Sequence, residues 1–310
     1  MKKAALTLIS VVIISSVIIM SKNLFSKDIP LGNRGIKSAI SAGDLDVLFI
    51  GSSTFRCDID MPIMDEAYDG RVYDISYGGN QLVAASVQYD EIKRRSANEY
   101  GLMVFELGPM MLTEKVALSD SRVIWDLSWD GKKKLWEKMR AAGNTDFSTF
   151  YEYFVTSGMD DLVTFPVTEP FYATRYYKGA KTDETTSPGA QVLDNAVFDI
   201  SNEVLVEAQL DAVKEIISKC RADGQRIVFL ECPHYYRLQY DPAYEHFLAL
   251  FTEYLDSEKT DYILASDIDY DDREASYFED MNHMSAEGRR VYTQKLVKLL
   301  KEKYSPASIS

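Results

Sequence analysis

Five short apolar runs punctuate the chain, at residues 46–50, 72–77, 102–107, 226–231 and 262–265. Each is near-continuous and does not alternate with polar residues, as in strands of a parallel sheet covered on both faces. Between the runs, residues 81–95, 203–222, 244–255 and 285–303 bring apolar side chains back every three or four positions. In the last of these, Val291, Leu296, Val297 and Leu300 make one stripe. Strand and helix therefore alternate, which predicts an α/β fold with right-handed crossovers around a parallel sheet of about five strands. The alternation stops between the third and fourth runs. The insert there, roughly 111–200, carries Trp125, Trp129 and Trp136, then the stretch FYATRYYKGAKTDETTSPGA, whose aromatic start and Gly/Pro-rich end read as a surface loop or lid.

The amino terminus breaks the pattern differently. After Lys2 and Lys3, residues 4–20 form a seventeen-residue run without a charge, at the short end of what spans a bilayer. A cleaved signal peptide and an uncleaved anchor both fit. The anchor is preferred, because the apolar core runs through Met20 into Ser21-Lys22-Asn23 without an Ala-x-Ala-like site. With Lys2 and Lys3 held in the cytoplasm, residues 1–27 would be a single-pass membrane segment and linker, and 28–310 an extracytoplasmic domain.

Charge divides at the same place. Residues 1–27 hold four lysines and no acid. Taking those four from the chain's 34 basic residues leaves 30 against 48 acidic ones, a net of −18. Such a surface excludes nucleic acid as a partner through any broad field. Cys57, Cys220 and Cys232 have no metal-ligand spacing and an odd count, so at most one disulfide could form. No zinc motif, calcium loop or phosphate-cradling glycine loop is present, so no metal and no cofactor is implied.

The candidate chemistry sits where strands end. The first strand runs into Gly51-Ser52-Ser53, at the carboxyl edge where open parallel sheets bind ligands. A serine there can equally cap a helix. Near the carboxyl terminus, Asp280 and His283 stand three apart just before the last helix. A serine nucleophile needs a base to take its proton and a carboxylate to hold that base, and Asp-x-x-His supplies both.

Gly51-Ser52-Ser53, Gly78-Gly79-Asn80 and Asp280-Met281-Asn282-His283, in this order after the first strand, after the second strand and before the last helix, resemble blocks one, two and five of the SGNH, or GDSL-like, hydrolase superfamily. The resemblance spans 45–303 apart from the insert. It implies a three-layer, flavodoxin-like α/β fold, Ser53 as nucleophile, His283 as base and Asp280 as its orienter. It further implies an oxyanion hole from the amides of Ser53 and Gly79, with Gly78, one residue off, as the alternative to Gly79. The block-three asparagine is missing, since Gly108-Pro109-Met110-Met111 follows the third strand, and Asn80 is the candidate replacement donor. In style the chain is most similar to membrane-anchored envelope proteins such as the DltD family and exopolysaccharide O-acetyltransferase-like proteins. That likeness implies ester chemistry on an acylated envelope polysaccharide or teichoic-acid-like polymer, beside a membrane-bound acyltransferase.

Two further residues are candidate substrate contacts. Arg56 could take a carboxylate or phosphate, or pair with Asp58 and Asp60; His234 follows the fourth strand. Glu106 ends the third strand and is expected to hydrogen-bond beneath the site. Two functions fit these features: a serine esterase or O-acyltransferase, and a catalytically weakened scaffold that binds an envelope glycan through insert aromatics such as Tyr172, Tyr176 and Tyr177.

Overall fold

The computed structural model describes residues 7–18, 34–108, 111, 116–117, 122–143, 175–197 and 206–304. Five parallel strands, β1 (Leu45–Ile50), β2 (Val72–Asp74), β3 (Tyr100–Glu106), β6 (Ile227–Leu230) and β7 (Tyr262–Ile263), form one sheet in the order β2-β1-β3-β6-β7; β4 (Tyr176–Tyr177) and β5 (Ala180–Lys181) make a separate hairpin. Counted along the chain, the parallel sheet runs 2-1-3-4-5. In this flavodoxin-like order the direction of winding reverses between β1 and β3, and a crevice opens there at the carboxyl ends.

Both faces of β1 are buried from Val47 to Ile50, which explains the unbroken apolar run there. Leu48 and Ile50 pack with α5 (Leu82–Arg95), α9 (Glu207–Ala222) and α11 (Pro242–Ser257). Val47 and Phe49 pack on the other face with α3 (Ser53–Asp58), α4 (Met61–Ala67) and α12 (Ala286–Tyr304). The result is three layers, helix on sheet on helix.

Several boundaries differ from the sequence expectation for local reasons. β2 ends at Asp74, three residues early, because the Ser76 amide and hydroxyl both turn back to Asp74 Oδ1. The chain still follows β1, through Ile75 N–H to Phe49 O and Tyr77 N–H to Gly51 O. α11 starts at Pro242 rather than 244, since Asp241 caps it by accepting the Ala243 amide at 2.8 Å. The expected start of α9 at 203 lies outside the described residues. All three cysteines are buried and free.

The described part of the insert is built onto the sheet. Besides α6 (Arg122–Asp126) and α8 (Ala190–Asn195), it holds α7 (Trp129–Ala141), which places Leu135 and Met139 in the core beside α5. Residues 175–189, expected as a loop or lid, instead form a strap over the β2 edge and the start of α12. Lys178 O accepts the Asp74 amide at 2.9 Å, Thr185 O that of Ala286 at 3.0 Å, and Asp183 O accepts from Arg289 Nη2 at 3.0 Å. At the hairpin turn Gly179 has φ +98°, and a Cβ there would lie 1.6 Å from Asp74 O. Only glycine lets the two backbones meet. Tyr172 and the Trp125 side chain lie outside the described residues, while Trp129 is exposed and Trp136 packs partly buried against the core.

Residues 7–18 form a helix, α1, with Leu8, Ile9, Val12 and Ile13 among its exposed side chains. Among the described residues no helix is long and apolar enough to cross a membrane. The other residues of the expected anchor lie outside the described ones.

Candidate active site

Each serine after β1 has a distinct local role. Ser52 is the N-cap of α3, and its Oγ accepts the Thr54 amide. Its own amide and hydroxyl both donate to the Glu106 carboxylate at the end of β3, at 2.5 and 2.7 Å. Ser53 is thereby left at the first helical position with its side chain directed elsewhere. Glu106 is buried, and burial raises its pKa against the opposing hydrogen bonds from Ser52. Gly51 is needed beside it, since a Cβ there would approach Glu106 Oε2 to 2.6 Å.

Ser53 faces His283 across the crevice, with Oγ 2.9 Å from Nε2, although 230 residues separate them in sequence. The other ring nitrogen, Nδ1, lies 2.9 Å from Asp280 Oδ2, and Asp280 Oδ1 accepts the amides of Asn282 and His283 at 2.7 and 2.8 Å. One carboxylate thus shapes the loop and orients the ring. Burial disfavours the charged forms of both groups, but their mutual hydrogen bond prevails, holding Asp280 below the usual carboxylate range and His283 above the usual histidine one. With an ionised Asp280 on Nδ1–H, Nε2 of the neutral ring is left to accept the Ser53 hydroxyl proton. Asp280 is the exposed end of the chain of contacts, its side chain 56% accessible against 23% for His283.

Besides the Ser53–His283 contact, the loop that carries His283 is tied to α3 twice. Asn282 Nδ2 donates to Thr54 Oγ1 at 3.3 Å, and the Met284 amide donates to Asp58 Oδ1 at 2.8 Å. Asp58 is wholly buried, and burial holds its carboxyl well above the usual range. In the sequence Asp58 stands out only as an ion-pair partner for Arg56. The available signal was its place three residues after the buried Phe55, on the same side of a helix.

The remaining candidates separate. Gly79 has φ +58°, a left-handed turn suited to glycine, and its amide has no protein acceptor among the described residues. Asn80 does not serve as the replacement donor. Its Nδ2 donates to Gly51 O and Gln88 Oε1, both at 3.0 Å, and its amide to Tyr77 O, so its N–H groups are used within the fold. Gly108 ends against Glu106, where a Cβ would meet Oε1 at 3.1 Å; Pro109 and Met110 lie outside the described residues. Arg56 reaches over the block-two turn, its guanidinium 3.3 Å from where a Gly78 Cβ would be. It is not the partner of Asp58, which binds Met284, nor of Asp60, which caps α4 and faces Arg289. His234 is corrected too: its ring is 1% exposed and packs edge-to-face on Tyr244, and burial lowers its pKa to about 4, so it lies neutral and closed to substrate. Among the described residues no cluster fit to hold a metal ion occurs.

Behind the crevice, burial pushes the Asp74 carboxyl up to about 7, against its Ser76 bonds and the Arg56 charge. A folded pKa above the unfolded 3.8 contributes stability that is complete below about pH 4 and lost as pH rises through 7. Between those values the slope approaches about 1.4 kcal/mol per pH unit. Urea midpoints should therefore fall from pH 5 to pH 8, and Asp74→Asn should flatten that fall. An unchanged slope in the variant would rule Asp74 out as its source.

No protein-family profile matches the chain, and no curated protein does. Solved structures similar to it include an acetylxylan esterase of Geobacillus stearothermophilus in a catalytic-mutant form, 11% identical over 83% of this chain and 94% of that one, with a TM-score of 0.40. Another acetyl xylan esterase is 11% identical over 82% and 98%, TM-score 0.39. A GDSL-like lipase of Bacteroides thetaiotaomicron VPI-5482 is 10% identical over 83% and 87%, TM-score 0.37. At this identity and overlap, the chemistry of the chain rests on its own residues.

Proposed function

We propose that the chain is an SGNH-like serine esterase or O-acyltransferase acting on acyl esters of a cell-envelope polymer. The observation that carries the reading is the continuous hydrogen-bonded path Ser53–His283–Asp280 at the carboxyl edge of the sheet. Ser53 Oγ attacks the acyl carbonyl carbon while His283 Nε2 takes the hydroxyl proton, and Asp280 stabilises the imidazolium. The amides of Ser53 and Gly79 receive the oxyanion. Collapse expels the alcohol, which leaves with the proton from Nε2, and the acyl group stays on Ser53. Water or a polymer hydroxyl then repeats the sequence in reverse, giving hydrolysis or transfer.

The envelope setting rests on the apolar run 4–20 behind Lys2 and Lys3, read as an anchor that leaves the domain extracytoplasmic. A membrane-bound acyltransferase would then be the natural source of acyl groups. Arg56, beside the block-two turn, is the residue we read as the contact for an anionic group of such a polymer.

A fluorophosphonate probe should label the wild-type protein and leave Ser53→Ala unlabelled while circular dichroism stays the same. Equal labelling of both proteins would remove Ser53 from the role. The second reading, a scaffold that binds polymer without efficient turnover, draws on the missing block-three asparagine and the engaged Asn80. It predicts polymer binding indifferent to His283→Ala and no labelling of the wild type.

A further inference from the structure

We propose that Asp58 is a positioning residue for the acyl transfer, holding His283 on Ser53 through the Met284 amide. The proposal rests on the reading of Ser53 and His283 given above. α3 begins with Ser53 and ends with Asp58, so five residues of helix, about 7.5 Å of rise, separate the nucleophile from an acceptor for the residue next to the base. One rigid turn and a half therefore carries both halves of the geometry.

Other contacts do not replace this one. The Glu279 and Ser285 amides bond within the loop region, to His283 O and Tyr277 O, and the Ala286 amide goes to the strap at Thr185 O. None of these reaches the nucleophile's helix. Asn282 does, at 3.3 Å through a side-chain amide, whereas the Asp58 bond is 2.8 Å, buried, and made to the backbone. Met284 is itself fully buried in the core beneath α3 and α12, so solvent cannot take the place of the Asp58 acceptor. Loss of the acceptor would leave that amide unpaired in the interior and free the loop to relieve it, carrying the ring away from Ser53.

The required feature is an oxygen acceptor at this point rather than a charge. Asp58 Oδ2 has no partner among the described residues, and burial favours the neutral acid, whose carbonyl still accepts. His283, Asp280 and Glu106 are the charged groups that bear on it. Asparagine supplies the same acceptor without the acid, and leucine fills similar space without it.

The test compares Asp58→Asn and Asp58→Leu in the whole chain, using p-nitrophenyl acetate turnover, the rate of fluorophosphonate labelling and the NMR titration of the His283 ring, identified among three histidines by His283→Gln. A displacement near 1 Å costs on the order of 10²-fold. Asp58→Leu should therefore lower kcat by about that factor with KM within about twofold, slow labelling in parallel, and move the His283 pKa down towards its ordinary value as the Asp280 contact loosens. Asp58→Asn should keep kcat within about threefold of wild type and leave the titration in place. Where Asp58→Leu does not fold, Asp58→Ser, whose hydroxyl is too short to reach the Met284 amide, takes its place. A folded Leu or Ser variant with wild-type kcat overturns the proposal, and so does an Asn variant as impaired as Leu. Ser53→Ala and His283→Gln run alongside: if they also keep wild-type turnover, the acyl-transfer reading has failed, and if they alone lose it, only the role of Asp58 has.

Discussion

Replacing His283 with alanine should lower kcat for p-nitrophenyl acetate by about 10⁴-fold or more, and adding Ser53→Ala should cost little further. Nucleophile and base act as one unit, so removing either forfeits the step both perform. The pH profile carries the same information. The base must be neutral, so kcat/KM should rise with pH as the imidazolium loses its proton. Its midpoint should lie above 6.5, because the bond to Asp280 outweighs the effect of burial on the ring. Asp280→Asn should move the midpoint down and slow turnover by roughly 10- to 100-fold. That is less than for a buried orienting acid, because solvent screens a carboxylate whose side chain is 56% accessible. A His283→Ala variant that keeps a tenth of wild-type kcat would mean another group takes the proton.

Glu106→Leu should be the most damaging single change to stability, about 3–5 kcal/mol in urea unfolding. The carboxylate receives the Ser52 amide and hydroxyl, at 2.5 and 2.7 Å, in a site closed to water. Leucine would leave both donors unpaired. Glu106→Gln should cost less, since its carbonyl still serves one of them while its NH2 group faces the other. Activity should fall as well, because the Ser52 cap fixes the turn that presents Ser53. A Leu variant within 1 kcal/mol of wild type would show that these donors find other partners or water.

How far the sequence could be read depended on the range of the forces involved. β1 was legible because its side chains are buried alternately on two faces, which leaves no polar position between Val47 and Ile50. The end of β2 was not, because Asp74 and Ser76 stop the strand through a side-chain bond that periodicity cannot register. α3 and α4, six and seven residues long, are too short to show a helical period. Asp280 and His283 could be paired by eye because they stand three positions apart on one loop; Asn80 could not be judged, since what uses up its side-chain N–H groups is Gly51 and Gln88. His234 sits at the expected sheet edge, and only packing against Tyr244 turns it inward. The insert misled for a related reason. Its polar composition suits a strap whose backbone bonds the sheet as well as it suits a free loop.

The 230 residues between Ser53 and its imidazole partner also set an order of events during synthesis. At roughly 5–20 residues per second, the serine leaves the ribosome tens of seconds before the histidine. In that interval the hydroxyl is an ordinary alcohol. β1, β2 and β3 can pair meanwhile, since all three precede residue 107, but the loop at 280–283 takes its place only when α12 docks beneath α3. A loop and helix made late thus complete a site whose serine is made early, so Ser53 gains its imidazole partner only once α12 has docked.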